Sequence, residues 1–177
     1  EAPKFNKKKF EASVEFALTQ THNHENFLPT LCEAFDNAGV VLIVLPNLKN
    51  SGINANDIDA INGHLTATSK DSLEIQNWSE ALGRKGKDFP YINSLKSMVG
   101  HCLSGAGSIE SVASVLQLHH GFIFPNINCD DLHPEITAII DESKIPQHQI
   151  DMELNLIAKA SFGFGDVNGC VIFKKYS

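Results

Sequence analysis

The sequence predicts an α/β domain, a mixed sheet covered by helices, and three observations carry that reading. Segments of strand character recur between segments of helical period. The clearest helix, residues 108–120, follows a glycine-bearing stretch at 100–107. Two late strand-like runs, at about 154–160 and 169–174, flank a tight Phe162-Gly163-Phe164-Gly165 turn. The 177 residues, 42% hydrophobic and 20% charged, suffice to bury a core over most of their length, so one domain over residues 1–177 is expected.

In chain order, residues 10–18 put Phe10, Ala12, Val14 and Phe16 on alternate positions, the period of a strand, and residues 19–26 read as loop. Residues 27–52 mix two signals. Leu28, Leu31, Cys32 and Phe35 have helical spacing, while residues 40–45 form a β-branched run cut at Pro46, and the register there stays open. Residues 54–57 carry turn chemistry. Residues 58–62 then read as a short buried strand whose C-terminal end delivers His64. Ser69 caps an expected helix carrying Leu73, Trp78 and Leu82, stopped at Gly83, and a strand into Lys96 follows. In residues 108–120, Ile109, Val112, Val115 and Leu116 form an apolar stripe at helical spacing before Gly121 ends it.

Composition narrows the function. The formal charge is −7, and Lys and Arg are scattered except at residues 7–9, so nothing offers a phosphate backbone an electrostatic track. No nucleic-acid partner is expected. No apolar run approaches the ~18 residues that cross a bilayer, so no membrane span is expected. Four widely spaced cysteines, Cys32, Cys102, Cys129 and Cys170, form no CxxC pair and suit reduced thiols in a cytoplasmic protein. The chain starts Glu1-Ala2-Pro3-Lys4 without an initiator Met, which reads as a fragment or cropped chain.

Chemistry is expected where polar residues directly follow strands, the usual place for sites in open α/β sheets. Three segments qualify. His64-Leu65-Thr66-Ala67-Thr68 offers an imidazole and two hydroxyls on alternate positions, which an extended backbone would point one way. Lys96 and His101 frame the entry to the next helix, whose N-terminus favours a neutral, hydrogen-bond-donating His101; Glu110 is placed to hold Lys96 away from solvent. Gly163 and Gly165 free the backbone around Phe164, whose N–H can face a ligand as an oxyanion donor. Taken singly, each segment fits a purely structural reading as well: a capped loop, an ordinary ion pair, a β-turn with two core phenylalanines.

Taken together and in order, these motifs resemble the C-terminal half of the β-ketoacyl-acyl-carrier-protein synthases, over about residues 39–176. His64-Leu65-Thr66-Ala67-Thr68 with Asp71 and Glu74 is similar to the family's His-Gly-Thr-Ser-Thr motif and the acidic residues after it. Lys96-Ser97-Met98-Val99-Gly100-His101, with a small-residue tail and Glu110, is similar to its Lys-x-x-x-Gly-His. His120-Gly121-Phe122-Ile123-Phe124-Pro125-Asn126-Ile127-Asn128 resembles the segment after that helix, and Ser161-Phe162-Gly163-Phe164-Gly165-Asp166-Val167-Asn168 its Ser-Phe-Gly-Phe-Gly-Gly-Thr-Asn. The resemblance implies a thiolase-like fold and decarboxylative Claisen condensation in fatty acid, polyene or polyketide synthesis. It implies that His64 and His101 hydrogen-bond a malonyl thioester while Lys96, held by Glu110, orients them. Thr66 and Thr68 would grip a phosphopantetheine arm, and Phe164, between Gly163 and Gly165, would complete an oxyanion hole and gate the acyl pocket.

The same resemblance implies an acyl-carrier protein as partner, a homodimer or a heterodimer with a related subunit, and no cofactor bound to the chain itself. The nucleophilic Cys belongs to the family's N-terminal half, which this chain does not contain, so activity is expected only with that half present. Leu65, Ala67, Asp71, Asp166 and Val167 depart from the family pattern around the substrate arm and read as a divergent member. Cys102 neighbours His101 but is expected to point away from it, and Cys32, Cys129 and Cys170 read as core thiols. His22 with His24, and His119 with His120, lack further ligands in register, and no metal is expected. A non-condensing, chain-length-factor-like subunit and a thiolase-like acyltransferase are the alternatives.

Overall fold

The computed structural model describes residues 53–163 and 168–175, the backbone of 41–44, and Lys8, Lys9 and Ala12. Five strands form one sheet in the order β1-β7-β6-β2-β3: β1 (Val41–Val44), β2 (Ala60–Asn62), β3 (Tyr91–Asn93), β6 (Leu156–Phe162) and β7 (Asn168–Lys174). The sheet is mixed, as expected. Strand β2 runs parallel to both β3 and β6, while β7 is antiparallel to β6 and β1. A two-stranded ribbon of β4 (Phe122–Ile123) and β5 (Ile150–Asp151) lies apart.

Alternation along the strands decides what covers the sheet. On one face Ala60, Ile157 and Phe173 pack with Val115 and Leu118 of helix α3 (Ala106–His120). On the other, Ile61, Ile92, Leu156, Ala158 and Ile172 pack with Ile75 and Leu82 of α1 (Asp71–Leu82) and with Ile140 just after the short α4 (Pro134–Thr137). Successive residues of one strand thus serve opposite layers, the period-2 rule of a sheet buried on both faces. Because β2 and β3 contribute only three residues each, side chains beyond their C-terminal ends stand at the rim of the sheet.

Several expectations on local structure need correction. Ala12 is helical rather than extended, as are Lys8 and Lys9 before it, and the remainder of residues 10–18 lies outside the described residues. So does the segment 27–52 apart from residues 41–44 of its β-branched run, which form β1. Helix α1 starts at Asp71 with Lys70 at its N-cap and no side-chain cap bond, so Ser69 does not cap it; the Asp71 carboxylate serves the preceding loop instead. Strand β3 stops at Asn93. Lys96 opens a separate helical turn, α2 (Lys96–Val99), because Ser97 Oγ and the Ser97 N–H both donate to the Ser94 carbonyl and fold the chain there.

Helix α3 begins two residues earlier than its stripe suggests, and the stripe is only partly right. Val115 is buried, but Ile109 is 42% exposed, and Glu110, Ser114 and Gln117 occupy the inward face instead. The described cysteines are also not core thiols: Cys102 and Cys129 are half-buried and Cys170 is exposed, while Cys32 lies outside the described residues.

Both long helices end on a left-handed glycine, Gly83 at φ 66° and Gly121 at φ 69°, as the sequence suggests. A Cβ at Gly83 would meet nothing, whereas at Gly121 it would stand 3.2 Å from the Met152 carbonyl oxygen. Gly83→Ala should therefore cost about 1–2 kcal/mol of stability, the left-handed strain alone. Gly121→Ala should cost measurably more by equilibrium denaturation; equal losses would mean that the chain at Met152 yields freely.

Candidate active site

The site is assembled at the C-terminal ends of β2, β3 and β6, where the sheet's parallel strands finish together. His64 follows β2 by two residues, Lys96 follows β3 by three, and Phe162 closes β6. The His64 and His101 rings meet edge to face with centroids 5.4 Å apart, and Phe162 lies edge-on to His64 at 5.6 Å. Two residues 37 positions apart in sequence thus become one pair of imidazoles.

The loop carrying His64 is not extended. Leu65 and Ala67 both adopt positive φ, 20° and 57°, where side chains other than glycine are rare. Two carboxylates of α1 hold that shape. Glu74 accepts the N–H groups of His64 and Leu65, each at 2.8 Å, and Asp71 accepts those of Thr66 at 3.1 Å, Ala67 at 3.0 Å and Thr68 at 3.4 Å. Five successive backbone donors therefore converge on two acids. Gly63 leaves room for this: a Cβ there would lie 3.0 Å from Glu74 Oε1. Thr66 and Thr68 do come together, Oγ1 to Oγ1 at 3.3 Å, but through this folded loop rather than through strand alternation.

His101 is exposed, and its Nδ1 accepts the Leu103 N–H at 3.0 Å. An imidazole nitrogen that accepts carries no proton, so the ring's proton sits on Nε2, which is left to donate outward. Cys102 turns its sulfur toward the carbonyls of Val99 and Gly100. His64 is half-buried, and its pKa is held below the ordinary histidine value, first by burial and then by the positive charges of Lys96 and Lys159. Both rings are thereby suited to donate hydrogen bonds to one developing oxyanion.

Beneath them lies a cluster that the sequence reveals only in part. Glu110 on α3 pairs with Lys96 as expected, and its second oxygen is 2.6 Å from Lys159 Nζ on β6. All three side chains are sealed, 6%, 3% and 2% exposed for Lys96, Lys159 and Glu110. Lys159 escapes sequence reading because it sits inside an otherwise apolar strand run, where a lysine suggests an outward face. A polar seam continues along α3: Asn62 Nδ2 donates to Ser114 Oγ at 3.0 Å and to the Glu110 carbonyl at 2.9 Å, and Asn93 Nδ2 donates to Gln117 Oε1 at 2.9 Å.

Next to His101 and Lys96 a cavity of about 460 Å³ opens, walled by Leu65, Ile75, Ile92, Ile136 and Ile145, with Thr66 and Cys129 also on its lining. Burial and the neighbouring Asp130 and Asp71 charges push the Cys129 thiol pKa up, so it stays protonated there. Gly163 follows β6 in an exposed position, while Phe164, Gly165, Asp166 and Val167 lie outside the described residues. His119 and His120 stack edge to face at the C-terminal end of α3, away from the imidazole pair. Among the described residues no group of three or more His, Cys, Asp or Glu side chains gathers as metal ligands, and no helix is long and apolar enough to cross a membrane. His22 and His24 lie outside the described residues.

Comparison with known proteins points one way. Residues 16–130 match the family model described as the β-ketoacyl synthase C-terminal domain. The chain is 36% identical over 141 residues to 3-oxoacyl-[acyl-carrier-protein] synthase 2 of Vibrio harveyi, covering 79% of this chain and 33% of that protein. To the chloroplastic 3-oxoacyl-[acyl-carrier-protein] synthase II of Arabidopsis thaliana it is 33% identical over 142 residues, covering 80% and 25%. The chain thus spans about a third or less of the length of these curated relatives. Among solved structures, a β-ketoacyl synthase from Burkholderia phymatum superposes with a TM-score of 0.65 at 25% identity, over 84% of this chain and 33% of that one. A type II polyketide ketosynthase, solved with its acyl-carrier protein and bound to the hexaketide, gives 0.65 at 29% identity, over 73% and 31%.

The carboxylate clamp on the loop yields a test. Glu74→Ala should leave two backbone donors and the Trp78 indole N–H without their acceptor, lowering stability by about 1–3 kcal/mol. Hydrogen exchange at the His64 and Leu65 amides should accelerate more than at β2; unchanged exchange at those two amides would show that the loop holds its shape without the clamp.

Proposed function

Because the chain belongs to the β-ketoacyl synthase family through its C-terminal domain, we propose that residues 1–177 act as one such domain. It supplies the decarboxylation machinery of a cytoplasmic β-ketoacyl-acyl-carrier-protein synthase. The single observation that carries the reading is the imidazole pair, with its 5.4 Å ring separation and an outward Nε2–H on His101. A malonyl thioester, delivered on the phosphopantetheine of an acyl-carrier protein, would place its carbonyl oxygen between the two donors. As the carboxylate leaves as carbon dioxide, the electron pair of the broken C–C bond moves onto the α-carbon as an enolate, and both histidines hydrogen-bond the resulting oxyanion.

The α-carbon then attacks an acyl thioester on a cysteine supplied by an N-terminal half. A new C–C bond forms and the cysteine leaves as thiolate. Thr66 and Thr68, close together at the rim of the cavity, receive the phosphopantetheine arm, and Phe164, flanked by Gly163 and Gly165, offers its backbone N–H to the acyl carbonyl. Lys96 and Glu110 act through the histidines rather than on substrate. The reading needs no metal and no cofactor resident on the chain. Val99 and Leu103, 51% and 76% exposed beside His101, suit a surface that another part of the protein covers, and a dimer, homomeric or with a related subunit, completes the assembly.

In the intact protein, His101→Ala should lower malonyl decarboxylation by about 10²–10³-fold, the usual consequence of losing one oxyanion donor, while transfer of an acyl group onto the cysteine survives. Equal loss of both steps would contradict the assigned role. Intact-mass spectrometry should detect an acyl adduct that disappears as β-ketoacyl product forms on adding malonyl carrier. Decarboxylation with no adduct would place the protein among non-condensing partner subunits.

A further inference from the structure

We propose that Lys159 is a positioning residue for His64: as a second buried ammonium on the single carboxylate of Glu110, it leaves an uncompensated positive charge beside the imidazole and so keeps His64 in its neutral, hydrogen-bond-donating form. The effect on turnover rests on the function proposed above; the effect on His64 does not.

The surroundings of Lys159 suit a cation. Its Nζ faces three acceptors, Glu110 Oε2 at 2.6 Å, Ser161 Oγ at 2.8 Å and the Ala160 carbonyl. All three are oxygens able to accept from an ammonium, and the carboxylate adds an opposite charge. Burial pulls Lys159 below the ordinary lysine pKa, and Glu110 works against that pull. Lys96 occupies the other Glu110 oxygen. Within the cluster two ammoniums face one carboxylate, which leaves one positive charge out of reach of solvent, and Glu74 acts on Lys159 from outside the cluster.

That charge bears on His64 through the sheet. In the parallel pairing of β2 with β6, Lys159 stands opposite Asn62, two residues before His64. Three residues on from Lys159, Phe162 packs edge-on against the His64 ring. The titratable and charged groups that face the ring are Lys96 from α2, Lys159 from β6, Glu110 from α3, Glu74 from α1 through the His64 N–H, and His101. Both lysines, His101 and burial oppose a proton on the ring, and Glu110 favours one. An Lys96–Glu110 pair alone would balance its own charge, so Lys159 supplies the excess.

The test is an NMR titration of His64 in the intact protein labelled with ¹³C at the histidine rings. In the unmodified protein the His64 midpoint should lie below that of an exposed histidine. Lys159→Met, which is close in volume but removes the charge, should move it up, and Glu110→Gln should move it down. The pH profile of malonyl decarboxylation by Lys159→Met should shift its acid limb upward, with a several-fold loss concentrated on that limb. A uniform loss at every pH with an unmoved midpoint would make Lys159 merely structural and overturn the proposal. An unmodified midpoint at or above that of an exposed histidine would do so without any variant, even if Lys159→Met fails to fold. Absence of decarboxylation at every pH would instead sink the functional reading, while the titration still decides the role of Lys159.

Discussion

A carboxylate buried between two lysines ties three elements of this structure to one point. Glu110 projects from the first turns of α3 toward the sheet and meets Lys96 from one direction and Lys159 from another. Ions removed from water cost several kcal/mol each unless geometry compensates them, so once all three are buried none can move independently. The cluster therefore ties α3, the start of α2 and β6 together at one point. Each of these elements carries part of the imidazole pair or its surroundings.

The loop after β2 answers to a second electrostatic constraint. Its five consecutive backbone N–H groups form a concave row that would otherwise suit an anion, and the carboxylates of Asp71 and Glu74 fill it from the first turns of α1. Positive φ at Leu65 and Ala67 would be unfavourable in an unsupported loop. Here the paired carboxylates offset that strain. This explains how Leu65 can stand where the related motif carries Gly: the backbone shape is enforced from α1 rather than allowed by the absence of a side chain.

The seam of Asn62, Asn93, Ser114 and Gln117 extends the polar character of the site down one side of α3. Helix and sheet consequently meet along two parallel tracks, one apolar through Val115 and Leu118 and one hydrogen-bonded. A hydrogen-bonded track has directional requirements that an apolar one lacks, so α3 cannot rotate or slide against the sheet without losing partners. Such rigidity suits a site whose two histidines come from segments far apart in sequence.

The sequence by itself determined the α/β alternation, the glycine stops of both long helices, the pairing of Lys96 with Glu110, and the family, because local period and ordered motifs are written in neighbouring residues. Thr66, Thr68, His64 and His101 were legible as candidate site residues for the same reason. Only the tertiary structure decided which face of α3 turns inward, since a helix burying Glu110, Ser114 and Gln117 defies its own apolar stripe and can do so only when Asn62, Asn93 and two lysines stand opposite. It alone brought Lys159 into the site. A lysine within a run of buried strand residues carries no local sign of its partner, and the charge that makes its burial tolerable comes from a helix 49 residues earlier in the chain.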